Sequence, residues 1–526
     1  MNIRSIYAGL LFSILLAGCG SAPATPLASL TTAPTIAPVS AQQIPTATIL
    51  PTFAPTKAAA VSVPQLGSTP KAVAPVRATS IAENVPQLIA PGANGLQLFS
   101  ADGKPLRIFD QAQLTLGRNL SDGIAPTGGN VAFISGDNPM TPDREGSGPL
   151  LLNLLDTHTG KQKSITPLFS PEIAQALQEA NSTGERNDAV EAGIAIAENS
   201  NTLAWSPDGR YLAFIAAIDG PSSDVYSYDR ESGQSNRLTD GPNQAARLFW
   251  SPDSKWIIHE EVENFGTGAG WNVKAVWAAA PDGSGNRKLY DTESSGDEVF
   301  VDWVSPNEYL WVAPNTFLVY SWTPIGLQNI RLVDLDTGKA QRIGPDYAVQ
   351  AFAFDPVSHA QLMVVDDYTA QQNNLPGGLY LTVPTKQPQH IAPGNWYDVR
   401  WLPHAQMFFA KGEKGVISAA LDGKTQEYSG ENALPIDAPD GAWLLAWGDG
   451  NVTSPIGLRL YTTDGELKRT ITKDAVTLAT WSPDSTGVFY VSEGKLYYAT
   501  IPNGEPQLIE ENLPSTTLGS LGWVMP

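Results

Sequence analysis

The sequence predicts an all-β chain built as a single β-propeller of four-stranded blades. Two observations carry the prediction. A short segment recurs behind an apolar run: Trp205-Ser206-Pro207-Asp208-Gly209, Trp250-Ser251-Pro252-Asp253-Ser254 and Trp481-Ser482-Pro483-Asp484-Ser485, with weaker copies centred on Pro126, Pro306, Pro356, Pro403 and Pro439. The prolines are 81, 45, 54, 50, 47, 36 and 44 residues apart, and most of those steps match the ~40–50 residues of one blade.

Residues 1–18 read as a signal peptide. One positive charge, Arg4, precedes the apolar stretch Ile6 to Leu16, which suits an h-region and is short for a bilayer span. The stretch runs into Leu16-Ala17-Gly18-Cys19, which resembles a bacterial lipobox. That resemblance implies cleavage before Cys19, lipidation of its thiol and a membrane anchor outside the cytoplasm. Two acyl chains hold stably, at roughly 0.8 kcal/mol per buried CH₂.

Residues 19–85 follow as a tether. Positions 20–85 hold ten Pro, ten Thr and fifteen Ala, with no helical or strand period. Proline removes a donor and fixes φ, so disorder with polyproline II character is expected. Fully extended, the segment would reach ~200 Å, and as a flexible coil roughly 45 Å.

Residues 86–526 carry the repeat. An apolar strand ends at Trp, and Ser-Pro-Asp-Gly then takes the four positions of a type I turn. A β-rich second strand follows, such as Tyr211 to Ile215. A third strand and turn come next, as in Val225 to Gly233, and a fourth strand lies near Asn236-Arg237-Leu238. Later turns of the second kind are Pro281-Asp282-Gly283, Asp336-Thr337-Gly338, Leu421-Asp422-Gly423, Thr463-Asp464-Gly465 and Pro502-Asn503-Gly504. On these residues, from about 120 to 510, the chain resembles the PD40 or TolB-like group of WD40-like propellers. TolB carries an α/β domain before its propeller, and here a tether stands in that place. The resemblance therefore implies the fold and not the TolB role.

The two ends are expected to share a blade. Gly95 to Phe109 reads as the last two strands of a unit, and Leu521 to Pro526 as a first strand stopping at its turn. The expected ring has about eight blades, nine by literal repeat count, with the Pro126 unit the one that falls short. A helical insertion is expected within 167–200, where Ser170 precedes Pro171 and Glu172 as an N-cap signal.

Counting strands A to D from the axis outward, the A–B and C–D turns share one face of the ring. The B–C and D–A connections share the other. Length variation falls on the second face, near 136–149, 260–272, 313–328 and 367–377 and at 167–200. Repeat proteins place binding loops this way.

Composition narrows the partners. Residues 1–85 hold Arg4, Lys57, Lys71, Arg77 and Glu83, leaving 28 basic against 52 acidic side chains in the remainder. That balance argues against nucleic acid and anionic membrane as partners of the folded part. The single cysteine excludes a disulfide framework, and five scattered histidines argue against a His-rich metal site. No Gly-x-Ser-x-Gly elbow, His-Glu-x-x-His, Walker A or EF-hand motif occurs. The hydrolase domain of prolyl oligopeptidase-like propellers is therefore not expected, and no catalytic residue or cofactor is assigned. Gly266-Thr267-Gly268-Ala269-Gly270 reads as a blade loop.

The candidate binding residues lie on the elaborated face. Glu260, Glu261 and Glu263, behind His259, concentrate acid at the end of a B strand, with Trp271 beyond the loop. Asp366, Asp367 and Tyr368 hold the same position two units later, and Trp322 falls in the 313–328 loop. Carboxylates from neighbouring blades suit a cation or basic peptide, and the tryptophans suit stacking on a sugar or peptide. Trp205, Trp250, Trp303, Trp401 and Trp481 read as inter-blade packing. The expected function is a lipid-anchored, non-catalytic binding or scaffold propeller for a basic or neutral envelope protein, peptide or glycan. The alternative is a propeller-type enzyme, a glycosidase, lyase or quinone-dependent dehydrogenase, with its site over the central channel.

Overall fold

The computed structural model describes residues 85–526 except 93, 111, 113–119, 137–148, 184–189, 191, 194–195, 197–201, 265–270, 292–299, 302–310, 324–325, 449, 451–455 and 515–520. Cys19, the tether, the Gly266–Gly270 segment, Trp303 and Pro306 lie outside the described residues. No described helix is long and apolar enough to cross a membrane.

Nine blades form a propeller ring, each a small antiparallel meander. Blade 1 is composite. Gly522–Val524 is its inner strand and pairs with Gln87–Gly92, followed outward by Gly95–Ser100 and Pro105–Phe109. The expected three strands are thus present, and Gln87–Gly92 supplies the second one. Blade 2 pairs Asn130–Ser135, Leu151–Asp156 and Gln162–Pro167. In place of a regular inner strand it has a 3₁₀ turn, Leu120–Gly123, and a single bridge from Ile124 to Val131. The Pro126 unit falls short as expected, yet it still fills a place in the ring, so the literal count of nine holds. Blades 3 to 9 start at Leu203, Gln244, Trp311, Ala351, Trp396, Ile436 and Val476.

The recurrent turn works as its residues dictate. The Ser206 hydroxyl donates to Asp208 Oδ1 (2.5 Å) and accepts from the Tyr211 amide (2.9 Å), while Asp208 Oδ1 accepts from the Arg210 amide (3.0 Å). Ser251 with Asp253 and Ser482 with Asp484 repeat this lock. Gly209 closes the turn at φ +69°, where a Cβ would lie 2.8 Å from Thr127 Oγ1 of blade 2. In blades 4 and 9 a serine stands there instead, at φ 61°, and reaches the preceding blade. Ser254 Oγ accepts from the Asp208 amide and Ser485 Oγ from the Asp440 amide, both at 3.0 Å.

The tryptophan before the turn also faces the preceding blade. Trp205 Nε1 donates to Gly123 O (2.7 Å) and Trp250 Nε1 to Ala204 O (2.9 Å). Apolar clusters fill the gaps between blades. One joins Leu362, Leu379 and Val364 of blade 6 to Trp396, Val399 and Phe408 of blade 7. Another joins Leu445, Leu458 and Leu460 of blade 8 to Val476, Trp481 and Val488 of blade 9. Each small sheet thereby buries both faces, which is why the repeat is stable only as an array.

A buried ion pair anchors the seam between blades 7 and 8. Glu431, in the connection between them, accepts from Arg459 Nε (2.6 Å) and Nη2 (3.0 Å), from the Tyr461 hydroxyl (3.0 Å) and from the Asn432 and Ala433 amides (both 2.9 Å). The carboxylate is fully satisfied, the condition under which a buried charge is tolerated.

The predicted insertion forms helix α1, Pro171–Thr183, with the Ser170 hydroxyl accepting from the Ile173 amide (3.2 Å). Its Ile173, Leu177 and Ala180 pack into the core of blades 2 to 4. A second helix, α2 (Asp367–Asn373), occupies the B–C connection of blade 6.

Candidate functional site

Connection length separates the two faces of the ring. The A–B and C–D turns are tight in every described blade, while the other face carries α1, α2 and the longest strands. Those strands belong to blades 4 and 5: Ile257–Asn264, Trp271–Ala279, Thr316–Thr323 and Gly326–Asp334. The two-residue strand Phe300–Val301 pairs with Trp271–Asn272 on one side and with Trp322 on the other. It fuses blades 4 and 5 into one continuous sheet above the ring.

This sheet gathers several of the sequence candidates and corrects the reading of others. Trp271 and Trp322 stand on strands, not in loops. Trp271 is the partner of Val301, while Phe300 partners both Asn272 and Trp322, so the tryptophans occupy adjacent rows of one three-stranded segment. The expected 313–328 loop is instead mostly strand, Thr316–Thr323 pairing with Gly326–Asp334, and Pro314-Asn315 joins Trp311–Ala313 to that pair.

The acidic run is divided by the pleat. Glu260 is 1% exposed and pairs with buried Arg247 at 3.0 Å. Arg247 sits at an inner-strand bulge with φ 52°. Glu261 accepts from Asn243 Nδ2 (2.6 Å) and Trp277 Nε1 (2.7 Å). These two carboxylates hold the blade together and do not converge on an open cation site. Glu263 is exposed and lies 3.4 Å from Lys274. His259 is buried, and burial pushes its imidazole down to about 4.

Blade 6 continues the same rim. Asp366 is the N-cap of α2 and accepts from the Thr369 amide (2.8 Å). Asp367 lies in the first turn, and Tyr368 is 64% exposed. Ala370 of α2 packs with Val349, Leu318 and Leu327, and Leu327 and Val349 exchange backbone hydrogen bonds of 2.7 and 2.9 Å. The helix is thereby seated on the raised sheet. Glu263, Trp271, Trp322, Asp367 and Tyr368 thus lie on three consecutive blades, and Glu260 is withdrawn into the core.

Sequence reasoning missed a second group. On the inner strand of blade 7, Tyr397, Asp398 and Arg400 are exposed. Asp398 is still crowded by protein, and that desolvation raises its carboxyl above the ordinary range against the opposing pull of Arg400 and Lys411. Among the described residues no group of three or more His, Cys, Asp or Glu is placed to hold a metal.

The geometry defines the class: a nine-bladed β-propeller with one elaborated face. No family model matches the chain. Part of it is 30% identical over 110 residues to an uncharacterized peptidase, YuxL, of Bacillus subtilis, covering 18% of this chain and 17% of that protein. Another stretch is 27% identical over 148 residues to the uncharacterized protein Atu1656 of Agrobacterium fabrum, covering 26% and 44%. The chain thus spans less than half the length of either curated relative. Among solved structures, a eukaryotic initiation factor aligns with TM-score 0.49 and 14% identity, over 84% of this chain and 99% of that one. TolB from Acinetobacter baumannii aligns with TM-score 0.27 and 12% identity over 65% and 62%. Oligogalacturonate lyase from Vibrio parahaemolyticus gives 0.35 and 12% over 74% and 100%.

Proposed function

We propose that this chain is a bacterial lipoprotein, lipidated on Cys19 and held outside the cytoplasm by the 19–85 tether. In this reading its propeller is a non-catalytic binding or scaffold module for a protein, peptide or glycan of the cell envelope. The observation that carries the reading is the fused sheet of blades 4 and 5 with α2 seated beside it. Extra strand length, an extra strand and an extra helix all stand on one face of three adjacent blades, while the opposite face keeps minimal turns. Exposed Glu263, Asp367 and Tyr368 give that rim an acidic and aromatic surface. Such a surface favours basic or neutral partners and binds less in salt, since exposed charges are screened beyond roughly 8 Å.

The test has two arms. Cys19→Ala should release the full chain into the soluble secreted fraction or block its maturation; unchanged detergent-dependent membrane association sinks the anchor. Separately, a Glu263→Gln, Trp271→Ala, Tyr368→Ala triple variant should capture less partner from envelope extract than wild type. Asp282→Asn and Asp422→Asn, in the tight turns opposite, should capture as much as wild type. The reverse pattern would put the binding face on the other side of the ring.

A further inference from the structure

We propose that the inner strand of blade 7 forms one wall of a small-molecule site at the long-loop end of the central channel, and that this site takes a small zwitterion with an apolar body, the chemistry of a free apolar amino acid. The proposal concerns the channel and rests neither on the lipid anchor nor on the outer rim of blades 4 to 6.

Blade 7 opens with Trp396–Leu402, and a bulge between Trp396 and Asp398 leaves Tyr397 without a partner residue on the next strand. Asp398 and Arg400 are two apart on this strand, so they project to the same side. Both are exposed, although the strand is the innermost of its sheet, which places them toward the axis. Among the described inner strands they are the only exposed charged side chains. Beside them Tyr397 is 45% exposed and offers an aromatic face. An aromatic face beside a few placed polar groups is the usual make-up of a small-ligand site.

The two charges are not used up by the fold. Arg400 makes one long contact, from Nη1 to Pro435 O at 3.4 Å, which leaves most of its guanidinium fork for a ligand. A planar fork matches a carboxylate with two parallel hydrogen bonds. Asp398 lies across from Lys411 in the strand pairing and feels both it and Arg400. Even so, its carboxyl is raised, because desolvation outweighs the nearby positive charge. An under-compensated carboxylate gains most from a cation delivered by the ligand. The inner strand of the following blade is only Ile436–Asp437, and Asp437 is committed to the His404 and Ala405 amides (2.7 and 3.0 Å). It does not compete for the cation.

A ligand carboxylate on Arg400, its ammonium on Asp398 and its side chain against Tyr397 satisfy all three features together. A lone amine leaves Arg400 unmatched, and a lone acid leaves Asp398 unmatched.

The experiment is calorimetric titration of the full chain in detergent with leucine, N-acetyl-leucine and leucinamide. Leucine should bind at least about tenfold tighter than either blocked form, the effect of one lost charge-assisted hydrogen bond. Asp398→Asn should erase the preference for leucine over N-acetyl-leucine, and Arg400→Gln the preference over leucinamide. Glu263→Gln and Tyr368→Ala, which test the outer rim, should leave all three titrations unchanged. Near the ordinary carboxylate range, at about pH 4, binding of leucine should release protons, because a bound cation lowers the affinity of Asp398 for its own. No heat with any of the three, or equal affinity for leucine and its blocked forms, overturns the proposal without any variant having to fold. Equal loss of all three ligands in both variants also overturns it, since that pattern reports a general disturbance and not two matched charges.

Discussion

Replacing Ser485 separates two opposed contributions that the turn of blade 9 combines. The residue holds φ 61°, where glycine stands in blades 3 and 8 at Gly209 and Gly441, and its hydroxyl accepts from the Asp440 amide at 3.0 Å. A left-handed conformation costs an L-residue about 1–2 kcal/mol, and the inter-blade hydrogen bond returns about 0.5–1.5 kcal/mol net. Ser485→Gly removes both, and also loosens the unfolded chain by about 0.4–1 kcal/mol. The net change should be small, between about 0 and 1 kcal/mol of destabilisation. Ser485→Ala keeps the backbone cost, removes the bond and leaves the Asp440 amide unpaired, a loss of about 1–2 kcal/mol. Alanine should therefore be worse than glycine by about 1 kcal/mol, the reverse of the usual order in a turn without φ strain. Thermal unfolding of the two variants side by side, followed by circular dichroism, reads the order directly. The same order should hold at Ser254, whose acceptance from the Asp208 amide is equivalent. If alanine is as stable as glycine at both sites, the left-handed backbone carries no cost there, and if both variants match wild type, the hydroxyl contact between turns contributes nothing.

Three further outcomes follow from particular contacts. Glu431→Ala strands the Arg459 guanidinium among buried groups and should cost about 3–5 kcal/mol, whereas an exposed pair such as Asp422 with Lys424 should be removable with no measurable shift in melting temperature; equal effects in the two would deny the buried seam its role. His259, held down to about 4 by burial, binds its proton in the unfolded chain near 6.5, so stability is full above that pH and falls as pH drops toward 4, by about 3 kcal/mol at most. His259→Phe should flatten that part of a pH–stability profile, and an unaltered profile assigns the acid sensitivity to other groups. Deleting Gly522–Pro526 removes the inner strand of blade 1 and exposes two strand edges, so aggregation or a clear loss of melting temperature is expected by light scattering and calorimetry; unchanged behaviour would mean the ring does not need its closing strand.

Much of the ring is legible because the turn chemistry is local. Ser206 to Gly209 satisfy their own hydrogen bonds, so the segment announces itself wherever it occurs. The closing blade was legible for the same reason, through Ala101-Asp102-Gly103, although Gln87–Gly92 went unread beside the proline-rich tether. In blade 5 the described turn, Pro314-Asn315, is only two residues and lacks the Ser-Pro-Asp signature that marks blades 3, 4 and 9. The fate of Glu260 depends on Arg247, thirteen positions back across a bulge, and no period in the sequence couples those two residues. Trp271 and Trp322 did carry a signal. The run Phe317 to Trp322 is dense in aromatic and aliphatic residues, which favours a lengthened strand over a loop. Asp398 and Arg400 alternate just as outward-facing polar residues do. Only the position of their strand at the axis turns that alternation toward the channel.

The proposed tether would join the propeller at a place that decides how the domain bears load. Residues before Val85 lead straight into Gln87–Gly92, the second strand of blade 1, which is held between Gly522–Val524 and Gly95–Ser100. A pull arriving from the amino-terminal side acts along that strand. The ladder hydrogen bonds lie across it, so the six residue pairs on one side and three on the other resist together in shear. Had the chain entered through the outermost strand of a blade, the same pull could have peeled bonds one at a time. Closing the ring with the carboxyl-terminal strand thus also clamps the entry strand from both sides, and tension on the proposed tether would be shared with the far end of the polypeptide.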